Sequence, residues 1–419
     1  MTFAIPAPKT GDQPAIPASL LNACFVLLVV NISAFLAFCV SHSWIHDAQG
    51  LGIPTDFVNV WSAGKLALEG HPALAWDWDV QKQIQIAVLG QTYVGNFAWH
   101  YPPPFLFIAA LLARLPYAVA FMAWLAVSLV PYLVMTRAIV GRPFGWLLGV
   151  AFPVVLANTM VGQNGFLTAA LIGGTLYLLP IRPVLSGICL GLLSYKPQYG
   201  LLFPLALIAA SQWTVFITAG VVAVAMAALS WLAFGSESWQ AFFHWMPMFS
   251  QAFFTEGRAT WFKLQSMFGL TRSLGGSEQL AWALQAAVTG TVVVATVLLW
   301  RSNARYSMKA AGLATGTLLI TPYLFLYDMM VLAIPIAWLV RVGLASGFRK
   351  YELPALGFAA LLLVIFPLFE TPIGLGATLI VAALIACRFP AFQRNNSQLP
   401  SPIEPHGLRC KAAGMRPHP

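Results

Sequence analysis

Asp56 is the second residue of the stretch "TDFVNVW" at 55–61, some fifteen residues beyond the first hydrophobic segment. A carboxylate ahead of an aromatic run has two readings. It caps a loop helix running through "FVNVWSAGKLAL" by accepting from orphan N–H groups, or it acts as a general base that takes a proton from a hydroxyl. Lys196, in "YKPQ", lies between apolar segments and is followed by a helix-breaking proline. An ammonium at such a place either snorkels to the interface or holds an anion such as a phosphate. Arg272, in "SMFGLTRSLGG", offers a second phosphate contact, and Asp328, in "YLFLYDMM", pairs with a cation or positions an acceptor. His100 and Tyr101 in "WHYPPPF", Gln163 and Asn164 in "GQNG", and Gln198 and Tyr327 are further polar groups in or beside apolar runs.

No metal site is expected. His42 and His46 stand at i and i+4 with Asp47 adjacent, but no distant third ligand accompanies them. The five cysteines are scattered, mostly inside apolar runs, and fit neither a disulfide framework nor a zinc pattern. Trp44, Trp61, Trp76, Trp78 and Trp99 read as an interfacial belt. No Gly-rich nucleotide loop and no basic cluster interleaved with aromatics is present, so no cofactor and no nucleic-acid partner are expected.

The elements that must position these groups are membrane helices. The chain is 59% hydrophobic and 8% charged, against about 25% charged in soluble domains. Apolar runs of roughly 13 to 23 residues recur along it, beginning at 20–40, and several are too short for a ~30 Å hydrocarbon core unless tilted, broken or re-entrant. The run at 102–114 decides the topology. If it only dips, fifteen of the 22 Lys and Arg residues fall on the cytoplasmic side with both termini, and ten of the 13 acidic residues fall outside. The positive-inside rule favours that arrangement, and three prolines at 102–104 suit the mouth of a partial helix. Asp56, "GQNG", "YKPQ" and "YD" then share the outer face with the loops at 41–101 and 236–278. The expected organisation is a disordered head at 1–19, one membrane domain at 20–390 and a disordered cytoplasmic tail at 391–419.

"DFVNVWSAGKLALEGHPALAWD", "YPPPFLFIAALLARLP", "GQNG", "SGICLGLLSYKPQYGLLFP" and "PYLFLYDMMVLAIP", in this order, resemble glycosyltransferase family 87 over about residues 20–390. The resemblance implies an all-α polytopic membrane protein of the C-type glycosyltransferase fold, with about twelve transmembrane helices, a dipping helix and extracytoplasmic loop helices. It implies a polyprenyl-phosphate sugar donor, as in polyprenol-phosphate-mannose-dependent mannosyltransferases, and a glycan or glycolipid acceptor. It places the active site on the extracytoplasmic face of the cell membrane, with Asp56 matching the acidic residue of the first outer loop. Donor phosphate contacts fall to Lys196 and Arg272. His100, Tyr101, Gln163, Asn164, Gln198, Tyr327 and Asp328 would line the substrate cavity. The competing class is a multi-pass transporter or flippase, whose polar breaks would lie at the midplane between repeats.

Overall fold

The computed structural model describes residues 15–396. Seventeen α-helices make up most of this part. Among the described residues there is no β-strand, only isolated bridges around His46. Five helices are long and apolar enough to cross a membrane: α1 (Ala18–Val40), α5 (Tyr117–Val140), the segment Trp213–Thr255, α13 (Glu278–Arg301) and the segment Leu326–Ser346. A sixth span is available if the bent pair α6 (Phe144–Ala151) and α7 (Val154–Val161) counts as one, folded by 60° at Phe152–Pro153. Six shorter apolar helices, among them Gly165–Leu178 and Pro197–Ala209, complete the apolar set.

The segment expected to dip is short and packs on the stretch that precedes it. Helix α2 (Phe57–Leu68) and α3 (Trp78–Leu89) lie between α1 and the triple proline. After the prolines, α4 (Leu106–Leu112) has seven residues, about 10 Å of rise against a ~30 Å core. Trp76 donates its indole N–H to the Tyr101 carbonyl at 3.1 Å, and Trp61 donates to the Leu115 carbonyl at 3.0 Å. Both ends of the segment are therefore tied to the stretch before the prolines, one to α2 and the other to the 3-10 turn Pro72–Trp76. Its middle is pressed against α2 too, because a Cβ on Gly64 would stand 2.0 Å from the Ala109 carbonyl oxygen. Edge-on aromatic contacts running Phe35–Trp44–Phe121–Phe57 tie α1, the 41–56 stretch, α5 and α2 into one layer.

Three boundaries differ from the sequence reading. The segment at 236–278, expected as an outer loop, does not begin as a loop. Helix α11 runs through Trp213–Ser250 with a kink at Gly235 (φ 76, ψ 166) and continues as a π turn over Gln251–Thr255. The residues beyond the kink stay helical because their aromatics have partners: Phe242 meets Trp76, while Trp245 and Phe249 meet Trp78. At the far end, α17 (Ile373–Asn396) carries the helix past the expected start of the tail at 391, and α1 begins at Ala18, within the expected head. The rest of the proposed disordered head and tail, residues 1–14 and 397–419, lies outside the described residues.

The Gly64 contact generates a test. Gly64→Ala forces a methyl group into a backbone carbonyl, and overpacking of this kind costs about 1–3 kcal/mol. The purified variant should melt several degrees below the parent protein, whereas Gly290→Ala, in open space inside α13, should not lower the melting temperature and should raise it slightly.

Candidate active site

Each polar group singled out above, Arg272 apart, sits where a helix starts or breaks. Asp56 precedes α2. Tyr101 precedes the prolines. Gln163 and Asn164 link α7 to α8 (Gly165–Leu178), at a bend where Gly162 takes φ 66. Lys196 separates the 3-10 turns Leu193–Tyr195 and Pro197–Tyr199, and Asp328 lies in the 3-10 turn Leu326–Leu332. The last turn can approach α8 because residue 165 lacks a side chain; a Cβ there would lie 2.3 Å from the Tyr327 carbonyl oxygen.

These breaks meet. Lys196 Nζ donates to Asp328 Oδ1 at 2.5 Å, and both residues are buried. Asp328 Oδ2 accepts from the Phe325 amide at 3.2 Å. The ammonium lies 5.5 Å from the ring centre of Tyr327, 5.7 Å from that of Tyr199 and 6.0 Å from that of Tyr101, within range of cation–π attraction. Beside this pair, the Tyr101 hydroxyl donates to Gln163 Oε1 at 2.8 Å, and the Asn164 backbone amide donates to the same oxygen at 3.3 Å. With its oxygen taken, Gln163 turns its NH₂ to the Asp56 carboxylate as a donor. The Asn164 side chain borders the Tyr101 hydroxyl.

Asp56 is half-buried, recessed in protein yet reachable. Loss of water raises its carboxyl to about 6, the leading effect; the Gln163 bond and the charges of Lys263 and Lys196 pull it down, and Asp328 pushes it up. The capping expectation is corrected here. Asp56 occupies the N-cap position with α-helical backbone angles (φ −58, ψ −28), and its side chain makes no capping hydrogen bond. A capping side chain normally needs an extended backbone to fold over the first turn; this one is aimed at Gln163. His100 is half-buried, with Nδ1 3.2 Å from the Ala98 carbonyl oxygen. Burial, reinforced by the Lys196 charge, lowers it to about 4, so its imidazole is neutral at physiological pH. Tyr101 is driven well above its ordinary value, chiefly by burial and then by Asp328 and Asp56, and remains a hydroxyl donor.

Two expected residues fall outside this network. Gln198 is half-exposed, because the turn Pro197–Tyr199 sends Tyr199 inward in its place. Arg272 sits apart on α12 (Met267–Ser273), 4.0 Å from the centre of Trp261 and bonded to the carbonyls of Gly276 (2.9 Å) and Thr255 (3.5 Å). Sequence reasoning also missed Tyr323 and Lys263. Tyr323 stands 5.5 Å from His100, ring to ring, and its place after the Thr321–Pro322 break was a usable signal. Lys263 is exposed on the loop after α11 and has no ion pair among the described residues. Nothing local in the sequence marks it.

Residues 99–322 match the family model of Glycosyltransferase family 87, a little over half of the 419-residue chain. The chain belongs to glycosyltransferase family 87. The matched stretch carries Tyr101, Gln163, Lys196, Lys263 and Arg272; Asp56 lies before it, and Tyr327 and Asp328 follow it. No curated protein and no solved structure matches the chain. Family 87 membership together with the apolar helices makes the protein a membrane glycosyltransferase rather than a transporter. Its reaction needs a sugar donor and an acceptor.

The ion pair at the centre of this glycosyltransferase sets a stability test. Lys196→Met leaves the Asp328 carboxylate buried and unpaired, a change that costs about 3–5 kcal/mol. The variant should therefore unfold at a lower temperature, and Lys196→Met with Asp328→Leu should regain most of the loss. Thermal melts of both variants in the same detergent measure the difference.

Proposed function

We propose that this protein transfers a hexose, mannose in the first instance, from a polyprenyl-phosphate donor to a hydroxyl of a glycan or glycolipid, with Asp56 as the general base. The observation that carries the proposal is the environment of Asp56: a half-buried carboxyl raised to about 6, oriented by Gln163, at the start of a helix. A base poised near the working pH is the kind general-base catalysis favours, and the α2 dipole supports its charged form. The Asp56 carboxylate removes the acceptor proton as the acceptor oxygen bonds to the anomeric carbon. The bond from that carbon to the donor phosphate oxygen breaks on the opposite face. Polyprenyl phosphate leaves with the electron pair, and a single displacement inverts the anomeric centre.

The leaving phosphate accumulates charge and needs cations. Lys196 is already neutralised by Asp328, so its contribution is to the potential beneath the site. Lys263, which acts electrostatically on Asp56 from the loop after α11, is the cation we assign to the phosphate; Arg272, set apart on α12 against Trp261, is a second phosphate contact only from outside the Tyr101–Gln163–Lys196–Asp328 network. A groove of about 880 Å³ between Pro183–Leu192, α10 (Phe203–Ala209) and α11 supports a lipid-linked donor. Its apolar wall includes Ser194 and Pro197, which flank the Lys196 break. In this reading the chain has the C-type fold with about twelve crossings, 102–114 dips from the outer face, both termini are cytoplasmic, and the site faces the extracytoplasmic side. The charge asymmetry of the sequence supports that orientation.

Transfer from a radiolabelled polyprenyl-phosphate sugar tests the proposal. Asp56→Asn should lower the rate by roughly 10² to 10⁴. The sign of its effect on stability follows from the direction of the shift. The folded protein holds the Asp56 proton more tightly than the unfolded chain does, so ionising Asp56 costs stability as pH rises from about 4 through about 6. Asp56→Asn should therefore melt no lower than the parent protein at pH 8. An Asn variant with near-normal transfer would remove Asp56 from the mechanism.

Gln163→Leu gives a second readout, because it deletes a hydrogen bond to the charged form of Asp56. Parental activity should fall on the acid side with a midpoint near pH 6, and in Gln163→Leu that midpoint should move to higher pH. An unchanged acid limb would mean that Gln163 does not act on the base.

A further inference from the structure

A second cavity lies apart from this site. It occupies about 570 Å³ between α1, the α6–α7 bend, α15 (Ala333–Ser346) and α16 (Glu352–Ile365). That volume falls within the range of small-ligand and lipid-sized sites, about 300–1,000 Å³. Leu20, Cys24 and Leu27 line it from one face of α1, and Leu353, Leu356 and Ala360 from one face of α16. Along either helix these residues span roughly 10 Å, so the space is elongated and parallel to the helices. Its polar lining is Ser19 in the first turn of α1 and Arg349 and Lys350 in the turn before α16.

Charge around these residues is unbalanced. Glu352, the adjacent carboxylate, is consumed: Arg388 donates to both of its oxygens, and the Arg349 backbone amide donates to one of them at 2.9 Å. Arg349 uses one terminal nitrogen on the Tyr351 hydroxyl and the Cys387 carbonyl, both at 2.8 Å, and its other terminal nitrogen makes no hydrogen bond among the described residues. Lys350 is exposed, with no ion pair among the described residues. The cavity therefore presents an apolar slot with two cations at its mouth and no acidic residue in its lining.

The first helix shows why an occupant matters there. Of its 23 residues only Leu20, Cys24 and Asn31 are buried. Asn31 reaches across to the carbonyls of Val150 (3.5 Å) and Phe152 (3.3 Å) at the α6–α7 bend. Between Asn31 and the helix start, α1 and α16 both line the slot and meet directly at only a few points.

We propose that this slot is a binding site for an anionic phospholipid, with one acyl chain between α1 and α16 and its phosphate on Arg349 and Lys350. Basic pockets between membrane helices hold such headgroups, and each Lys or Arg near an anionic lipid is worth about 1 kcal/mol, about fivefold in affinity. The bound lipid completes the packing of α1. The site is independent of the sugar-transfer reading and is tested without it.

The full-length protein, purified in mild detergent, is offered an equimolar mixture of palmitoyl-oleoyl phosphatidylglycerol and phosphatidylcholine and examined by native mass spectrometry. One phosphatidylglycerol should be retained with a preference of roughly 25-fold, about fivefold from each of the two cations. Lys350→Gln, at an exposed position, should reduce that preference about fivefold, and Arg349→Gln with Lys350→Gln should abolish it. Ala360→Phe, which fills the slot, should lose retention of either lipid with the charges intact. Equal retention of the two lipids by the parent protein, or an undiminished preference in the double variant, overturns the proposal. So does displacement of the lipid by millimolar glycerol 3-phosphate, which would make the acyl slot irrelevant.

Discussion

The Lys196–Asp328 ion pair is the contact on which the interior of this protein depends. Its partners are 132 residues apart in the chain, and each sits in a one-turn break between apolar helices. Removing two charges from water costs several kcal/mol per ion, recovered only when geometry and surrounding hydrogen bonds are good. Here the Phe325 amide takes the second carboxylate oxygen and three tyrosine rings surround the ammonium. The pair fixes the 193–199 break against the 326–332 turn. Those two segments form the floor on which Tyr101 and Gln163 pack.

From that floor outward, the polar groups become progressively more accessible. Tyr101, Gln163, Lys196 and Asp328 are buried, whereas Asp56, His100, Tyr323 and Tyr327 are half-buried above them. The lower tier is paired within itself, Tyr101 with Gln163 and Lys196 with Asp328. The upper tier keeps free lone pairs. A membrane enzyme gains from this division, since a buried polar layer with its bonds satisfied holds a rigid geometry, while a base must retain an open side. Tyr101, Gln163 and Lys196 of this tier lie within the stretch that matches family 87.

The opposite arrangement appears at the other cluster of charges. Arg388 and Glu352 are also buried and paired, but around them the exposed groups are cations, and the neighbouring space is lined by aliphatic side chains. One region thus presents a carboxylate beside hydroxyls, and the other presents positive charge over a hydrocarbon slot. The helices between them are apolar on most faces, as a lipid-solvated bundle requires.

Much was fixed by the sequence alone. Composition determined an all-helical membrane protein, because so few charges cannot cover a water-facing surface. Prolines and polar pairs such as "YKPQ" and "GQNG" marked the breaks, since an unpaired backbone and an ionisable side chain in an apolar run must find partners nearby. The ordered motifs were enough to suggest the family. Only the tertiary structure decided which break meets which. Lys196 could have faced a phosphate, and pairing with Asp328 depends on contact across 132 residues that no local pattern encodes. Asp56 could have capped α2, but its backbone angles and the Gln163 amide turned it away. Gln198 and Tyr199 are adjacent in sequence, and the rotation of a single 3-10 turn chose the tyrosine for the interior. Apolar periodicity fixes how much of a helix is buried; the partner of each buried polar atom is fixed by packing, because hydrogen bonds are short and directional.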